Sequence, residues 1–205
     1  MRVQSDTCAL YLPFERINLS HITDCMKTTI IFLMLLVASM TASAQQTQCV
    51  QNFEGEFFFG LNAPVGGYHG GDAVGSGSLG VILRHNLKET PWDVGAFLRL
   101  DVARYKFDRL EQGNRTLGLG VLGGYNFRQG KKVNPFVNLG VGLGCHDIVD
   151  SEVYPSSGAS MVAIPTVGVE LFYHIRVNAY CELTRRGYNN TGISLGVVIG
   201  GRPKR

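Results

Sequence analysis

TLGLGVLGGYNF (residues 116–127) sets Leu117, Leu119, Val121, Tyr125 and Phe127 on odd positions against Gly118, Gly120, Gly124 and Asn126 on even ones. A period of two belongs to a strand whose faces meet unlike surroundings. NPFVNLGVGLGC (134–145) repeats the habit, with Val137, Leu139, Val141 and Leu143 opposed to Asn138, Gly140, Gly142 and Gly144. TGISLGVVIG (191–200) opposes Ile193, Leu195, Val197 and Ile199 to Gly192, Ser194 and Gly196.

The same test, run along the rest of the chain, finds five more strands. Phe53, Phe57, Phe59 and Leu61 oppose Glu54, Glu56 and Asn62; Leu79, Val81 and Leu83 oppose Ser78, Gly80 and Arg84. Val94, Ala96, Leu98, Leu100 and Val102 oppose Asp93, Arg99 and Asp101; Val167, Val169 and Leu171 oppose Thr166, Gly168 and Glu170. After a tight turn near His174, Val177, Ala179, Cys181 and Leu183 oppose Arg176, Asn178, Glu182 and Thr184. The expectation is eight strands.

Nine charged residues lie inside these segments: Glu54, Glu56, Arg84, Asp93, Arg99, Asp101, Glu170, Arg176 and Glu182. Every one shares the parity of the glycines. An Arg or Lys on a lipid-facing strand costs about 2–4 kcal/mol at the bilayer midplane, so this segregation is what a membrane enforces. A soluble lipocalin-like carrier would instead turn the apolar face inward around a ligand. Its water-facing sheet would then be mostly glycine, with Phe58, Ile82, Phe97, Phe136, Phe172 and Tyr180 exposed on it. Small residues mixed with large ones suit the crowded interior of a narrow closed barrel better. Glycine on this reading makes room inside, while Leu and Val face lipid.

The N-terminus accounts for the rest of the chain of 205 residues. From Met26 a lysine, an apolar run over Ile30 to Val37 and Ala42-Ser43-Ala44 before Gln45 have the order of a secretory signal peptide cleaved after Ala44. Residues 1–25 lie upstream of that start and are read as a non-native extension, leaving residues 45–205 as one barrel domain. All 26 glycines fall in this domain, roughly twice the usual density of about 7%. Residues 1–44 carry as many basic as acidic side chains, so the net charge of +3 is unchanged by their removal and implies no nucleic-acid partner. Cys49, Cys145 and Cys181 are odd in number and lack metal-ligand spacing, which argues against a disulfide framework. Cys49 does not directly follow the cleavage site, so it is no lipid anchor.

Connections after the second, fourth and sixth strands (KETPW, RQGKKV, YHI) are short, whereas those after the first, third and fifth are expected to run to about a dozen residues, the pattern of periplasmic turns and external loops. Trp92, Phe127 and Tyr173 on the turn side, with Tyr105 and Tyr188 on the loop side, are candidate interfacial girdles.

With a leader, eight alternating strands and glycine-rich walls, the chain resembles the small outer-membrane β-barrel proteins of Gram-negative bacteria, the OmpA/OmpX-type and PorT-like group. That resemblance implies an eight-stranded antiparallel up-and-down transmembrane barrel in the outer membrane. It also implies lipid and lipopolysaccharide as surroundings and the barrel-assembly machinery as a partner during insertion. The group's usual terminal aromatic residue is missing from GGRPKR.

An eight-stranded lumen is just wide enough to be filled by its own side chains, which excludes a porin. The enclosed charges are expected to form two ion-pair clusters. Glu54, Glu56, Arg84, Glu170 and Arg176 belong toward the turn end, with Arg99, Asp101 and Glu182 nearer the middle or loop end. No catalytic, cofactor or metal site is assigned. The GxGxxG matches at Gly75, Gly77, Gly80 and at Gly118, Gly120, Gly123 do not open a helix, as a dinucleotide site requires. A lipid A deacylase or acyltransferase is the enzymatic alternative, drawing on His146, Asp147, Asp150, Ser151, Ser156, Ser157, His69 and Asp72. The favoured reading is non-enzymatic: a structural role or surface interaction through VGGYHGGDAVGSG (65–77) and HDIVDSEVYPSSG (146–158).

Overall fold

The computed structural model describes residues 50–65, 72–87, 90–107, 110–149, 158–184 and 188–200. The expected leader and upstream extension, with Cys49, fall in residues 1–49 and lie outside this set, as do the last five residues.

Eight strands follow one another in the chain: β1 Phe53–Pro64, β2 Asp72–Asn86, β3 Trp92–Phe107, β4 Leu110–Asn126, β5 Val133–Val149, β6 Gly158–Leu171, β7 Ile175–Glu182 and β8 Asn190–Ile199. Each pairs antiparallel with the next, and β8 returns to β1, from Gly55↔Ile199 to Pro64↔Asn190, closing the barrel. Closure gives each strand a neighbour on both sides within the ring, the condition for crossing hydrocarbon with strands. No helix among the described residues is long and apolar enough to span a bilayer.

The two faces are inverted relative to a water-soluble protein. Phe57, Phe59, Leu79, Leu119, Val121, Leu139, Leu143, Ile193 and Val197 point outward and are exposed, while all nine strand charges are buried within. On β4 the outward apolar run covers Leu117 to Tyr125 and on β8 it reaches Ile199, close to the about 9–11 tilted residues that cross a bilayer. On the turn side, Tyr125 meets Trp92 and Phe127 edge to face, each at 5.0 Å, forming an aromatic group at the border of this belt.

The strands extend further on the loop side than their alternation suggests. Only residues 108–109 separate β3 from β4, where about a dozen loop residues were expected, and β6 begins at Gly158 instead of near Thr166. The cause is chemical: Arg104, Lys106, Arg115 and Asp147 are exposed on the outward face, so the apolar-out pattern stops although backbone pairing continues. β1–β2 pairing ends at Leu61↔Gly77, while β2–β3 runs on to Asp72↔Lys106. Likewise β5–β6 ends at His146↔Gly158 while β4–β5 runs on to Gly113↔Val149. The ends of β2, β3, β4 and β5 thus project beyond the rim as a four-stranded sheet.

Pro165 marks a second irregularity. Lacking an N–H, it interrupts the β6–β7 ladder after Thr166↔Tyr180, and pairing resumes only at Ala163↔Leu183. Two placements differ from the sequence reading. Phe172 is 61% exposed rather than in the lumen, because the β6–β7 turn carries it at φ 54°, where strand parity no longer holds. Tyr188 is buried with its ring 4.5 Å from His146, so it lines the lumen and forms no girdle. The side chain of Tyr105 lies outside the described set.

Candidate functional site: the polar lumen

Room inside the barrel comes from glycines placed beside large inward side chains. A Cβ at Gly80 would stand 2.6 Å from Phe58 Cζ, at Gly168 2.6 Å from Phe136 Cζ, and at Gly192 2.7 Å from the Tyr180 hydroxyl. Phe97 lies against both Gly120 and Gly140, and Glu56 against Gly196. The repeated glycines are therefore the complements of specific rings and carboxylates on neighbouring strands.

These large residues divide the lumen by height. Phe97, Leu122, Val162, Ile164 and Tyr180 form an apolar waist, with Ile82 packed against it. The cavity left at this level is about 40 Å³. Ligand pockets run to about 300–1,000 Å³, so the waist holds no carrier-sized space.

Toward the turns, Arg176 joins three carboxylates: Nη2 reaches Glu54 Oε2 at 2.8 Å and Glu170 Oε2 at 2.5 Å, and Nη1 reaches Glu56 Oε2 at 3.3 Å. Arg84 bonds Glu56 and stands 3.9 Å from Asp93. Side-chain amides supply the remaining donors. Asn86 donates to Glu54 at 2.6 Å, Asn126 to Asp93 at 2.6 Å, and Asn178 to Glu56 at 3.3 Å. Gln129, in the β4–β5 turn, donates to Asn86 at 3.3 Å, so a turn residue tucks beneath the mouth and narrows it.

Toward the loops, Asp101 accepts from Arg99 Nε at 2.5 Å and Nη2 at 2.8 Å, while Glu182 Oε2 is 3.7 Å from Arg99 Nε. The Arg99 guanidinium sits 3.7 Å over the Tyr180 ring and 5.5 Å from that of Phe58, so the same aromatics that form the waist also support the cation. All eight residues assigned to the lumen from sequence are thus buried, in the two groups named. Asp93 and the amides Asn86, Asn126, Asn178 and Asn62 belong with them. Their shared inward parity was the available signal, although amides carry no charge to make it conspicuous.

Of the catalytic candidates, His146 and Asp147 are the two whose side chains are described, and they are not brought together. His69, Asp150, Ser151, Ser156 and Ser157 lie outside the described residues, as does the side chain of Asp72. His146 is buried, whereas its neighbour Asp147 is exposed on the opposite face, so alternation separates acid from base. His146 instead bonds Thr116 through Nδ1 at 3.0 Å, and Ser160 at 2.6 Å and Thr184 at 3.1 Å through Nε2. Cys145 and Cys181 are free thiols. Among the described residues no group of three or more His, Cys, Asp or Glu is placed to hold a metal.

No protein-family model and no curated protein matches the chain. In fold it is similar to solved small outer-membrane barrels. Neisserial surface protein A matches with TM-score 0.46 at 12% identity, over 72% of this chain and 95% of that one. The outer membrane enzyme PagL matches with TM-score 0.45 at 14% identity, over 71% and 98%. The N-terminal β-barrel domain of Pseudomonas aeruginosa OprF matches with TM-score 0.42 at 16% identity, over 73% and 97%. These likenesses concern the fold alone.

Proposed function

We propose that this chain is a non-enzymatic outer-membrane barrel that acts structurally or by surface interaction, and that its contact surface is the projecting β2–β5 sheet with the connections it carries. The observation that carries this reading is the reversal of faces. An apolar exterior needs hydrocarbon around it, and a lumen filled by ion pairs, amides and an apolar waist leaves no path for solutes. Activity therefore belongs to what stands outside the bilayer, where Arg104, Lys106, Arg115 and Asp147 give β3, β4 and β5 a charged outward face. Lipid and lipopolysaccharide surround the belt on this reading, and the barrel-assembly machinery inserts it.

Cell fractionation followed by electrophoresis with and without boiling tests location and architecture together. The expected result is recovery with the outer membrane and a band that shifts on heating. Recovery in the soluble fraction would contradict the proposal.

A second, enzymatic reading rests on the Ser160–His146 contact. A Ser–His pair becomes nucleophilic when a third group orients the base. Here Nδ1 meets a threonine hydroxyl, while Thr184 competes for the same Nε2. The expectation is that a fluorophosphonate probe leaves the folded protein unlabelled. Labelling abolished by Ser160→Ala would establish a hydrolase instead.

A further inference from the structure

Among the described residues six lumen carboxylates face three guanidiniums, two to each at both ends of the lumen. On the turn side, Asn86, Asn126 and Asn178 donate to Glu54, Asp93 and Glu56, although Asp93 Oδ1 is left without a hydrogen bond. On the loop side Arg99 is engaged by Asp101 through two hydrogen bonds. Glu182, only 1% exposed, keeps an Oε2 with no hydrogen-bond partner. An ionised carboxylate so enclosed is costly unless something balances it.

The nearby amides Asn62 and Asn190 also carry unsatisfied oxygens. Asn62 commits its Nδ2 to Asp101 at 2.9 Å and Asn190 its Nδ2 to the Tyr188 carbonyl at 3.3 Å. The Oδ1 of each is buried and without a partner, in residues 9% and 3% exposed. The strands bring these groups to one level. Asn190 is the register partner of Glu182 across β7–β8, and Asn62 lies on β1 two residues from the partner of Asn190, Pro64. Asp101, on β3, is tied to Asn62 by their hydrogen bond.

At this level of the lumen three unpartnered acceptor oxygens and a second carboxylate offer carboxylate and amide oxygens. Hard cations take such a set, whereas transition metals favour imidazole and thiolate. We propose that Asn62, Asp101, Glu182 and Asn190 bind one calcium ion in the loop-side lumen. The ion supplies the positive charge that Arg99 cannot and draws β1, β3, β7 and β8 together just below the rim.

The test is thermal unfolding of the full chain folded in detergent micelles at a fixed urea concentration. It is run in chelator, in about 10 mM calcium chloride and in sodium chloride of equal ionic strength. Occupancy tens of times above Kd raises the midpoint by about 5 °C in calcium alone. Glu182→Gln keeps the shape and loses the rise; Asn190→Asp adds a carboxylate and enlarges it. No rise in the parent, as when a proton neutralises Glu182 instead, overturns the site. A rise of equal size in Glu182→Gln overturns it too, because the calcium is then bound elsewhere.

Discussion

Gly120 shows what a single residue contributes here. A Cβ added to it would run into the Val141 carbonyl oxygen and come within 2.8 Å of Phe97, whereas one added to Gly123, on the outward face, meets nothing within 4 Å. Gly120→Ala should therefore cost about 1–3 kcal/mol through overpacking, and Gly123→Ala should change little. Urea unfolding in micelles distinguishes them, and equal losses would contradict the assigned faces. Arg176 makes the complementary case. Arg176→Met strands Glu170 and takes the cation from Glu54, while Glu56 keeps Arg84, so the same titration should show a loss of about 3–5 kcal/mol; a loss below about 1 kcal/mol would mean those carboxylates are balanced otherwise. At this scale the sequence was highly legible, since each step along a strand reverses the side chain. It failed at Phe172, where the turn breaks that alternation, and at His146, whose partners Ser160 and Thr184 come from distant stretches of the chain.

Among the strands, the position of the bilayer matters more than propensity. Arg115 and Leu117 are outward neighbours on β4, and the change from charge to leucine marks the border of the hydrocarbon belt. Leu119→Arg should cost about 2–4 kcal/mol within that belt. Arg115→Leu should shift stability by less than about 0.5 kcal/mol. Reversed magnitudes in equilibrium unfolding into vesicles would move the belt. The central part of every strand could be read from alternation, but the ends of β2 to β5 could not. Beyond the belt either face tolerates polar side chains, so the pattern fades while the hydrogen-bond ladder persists. The early start of β6 was hidden for a related reason: Pro165 suggests a break, yet its missing N–H removes only part of one ladder.

For the whole molecule, closure turns local alternation into a cylinder with lipid outside and charge within. Strand number and the polarity of the two faces were accessible from sequence because both follow from local pattern. Height along the strands put Arg176 and Glu54 in one group, but which atoms pair within it was not accessible, because the two are 122 residues apart and meet only across the closed barrel. The most direct test places spin labels at Leu119, Leu139 and Leu195, and at the lumen positions Ser78 and Ser194, in protein reconstituted into vesicles. The inverted cylinder predicts that the leucine sites collide freely with dissolved oxygen and little with a water-soluble nickel chelate, while the serine sites are shielded from both. Leucine sites sealed from oxygen, with serine sites open to the chelate, would show the barrel to be a soluble carrier with its apolar face inside.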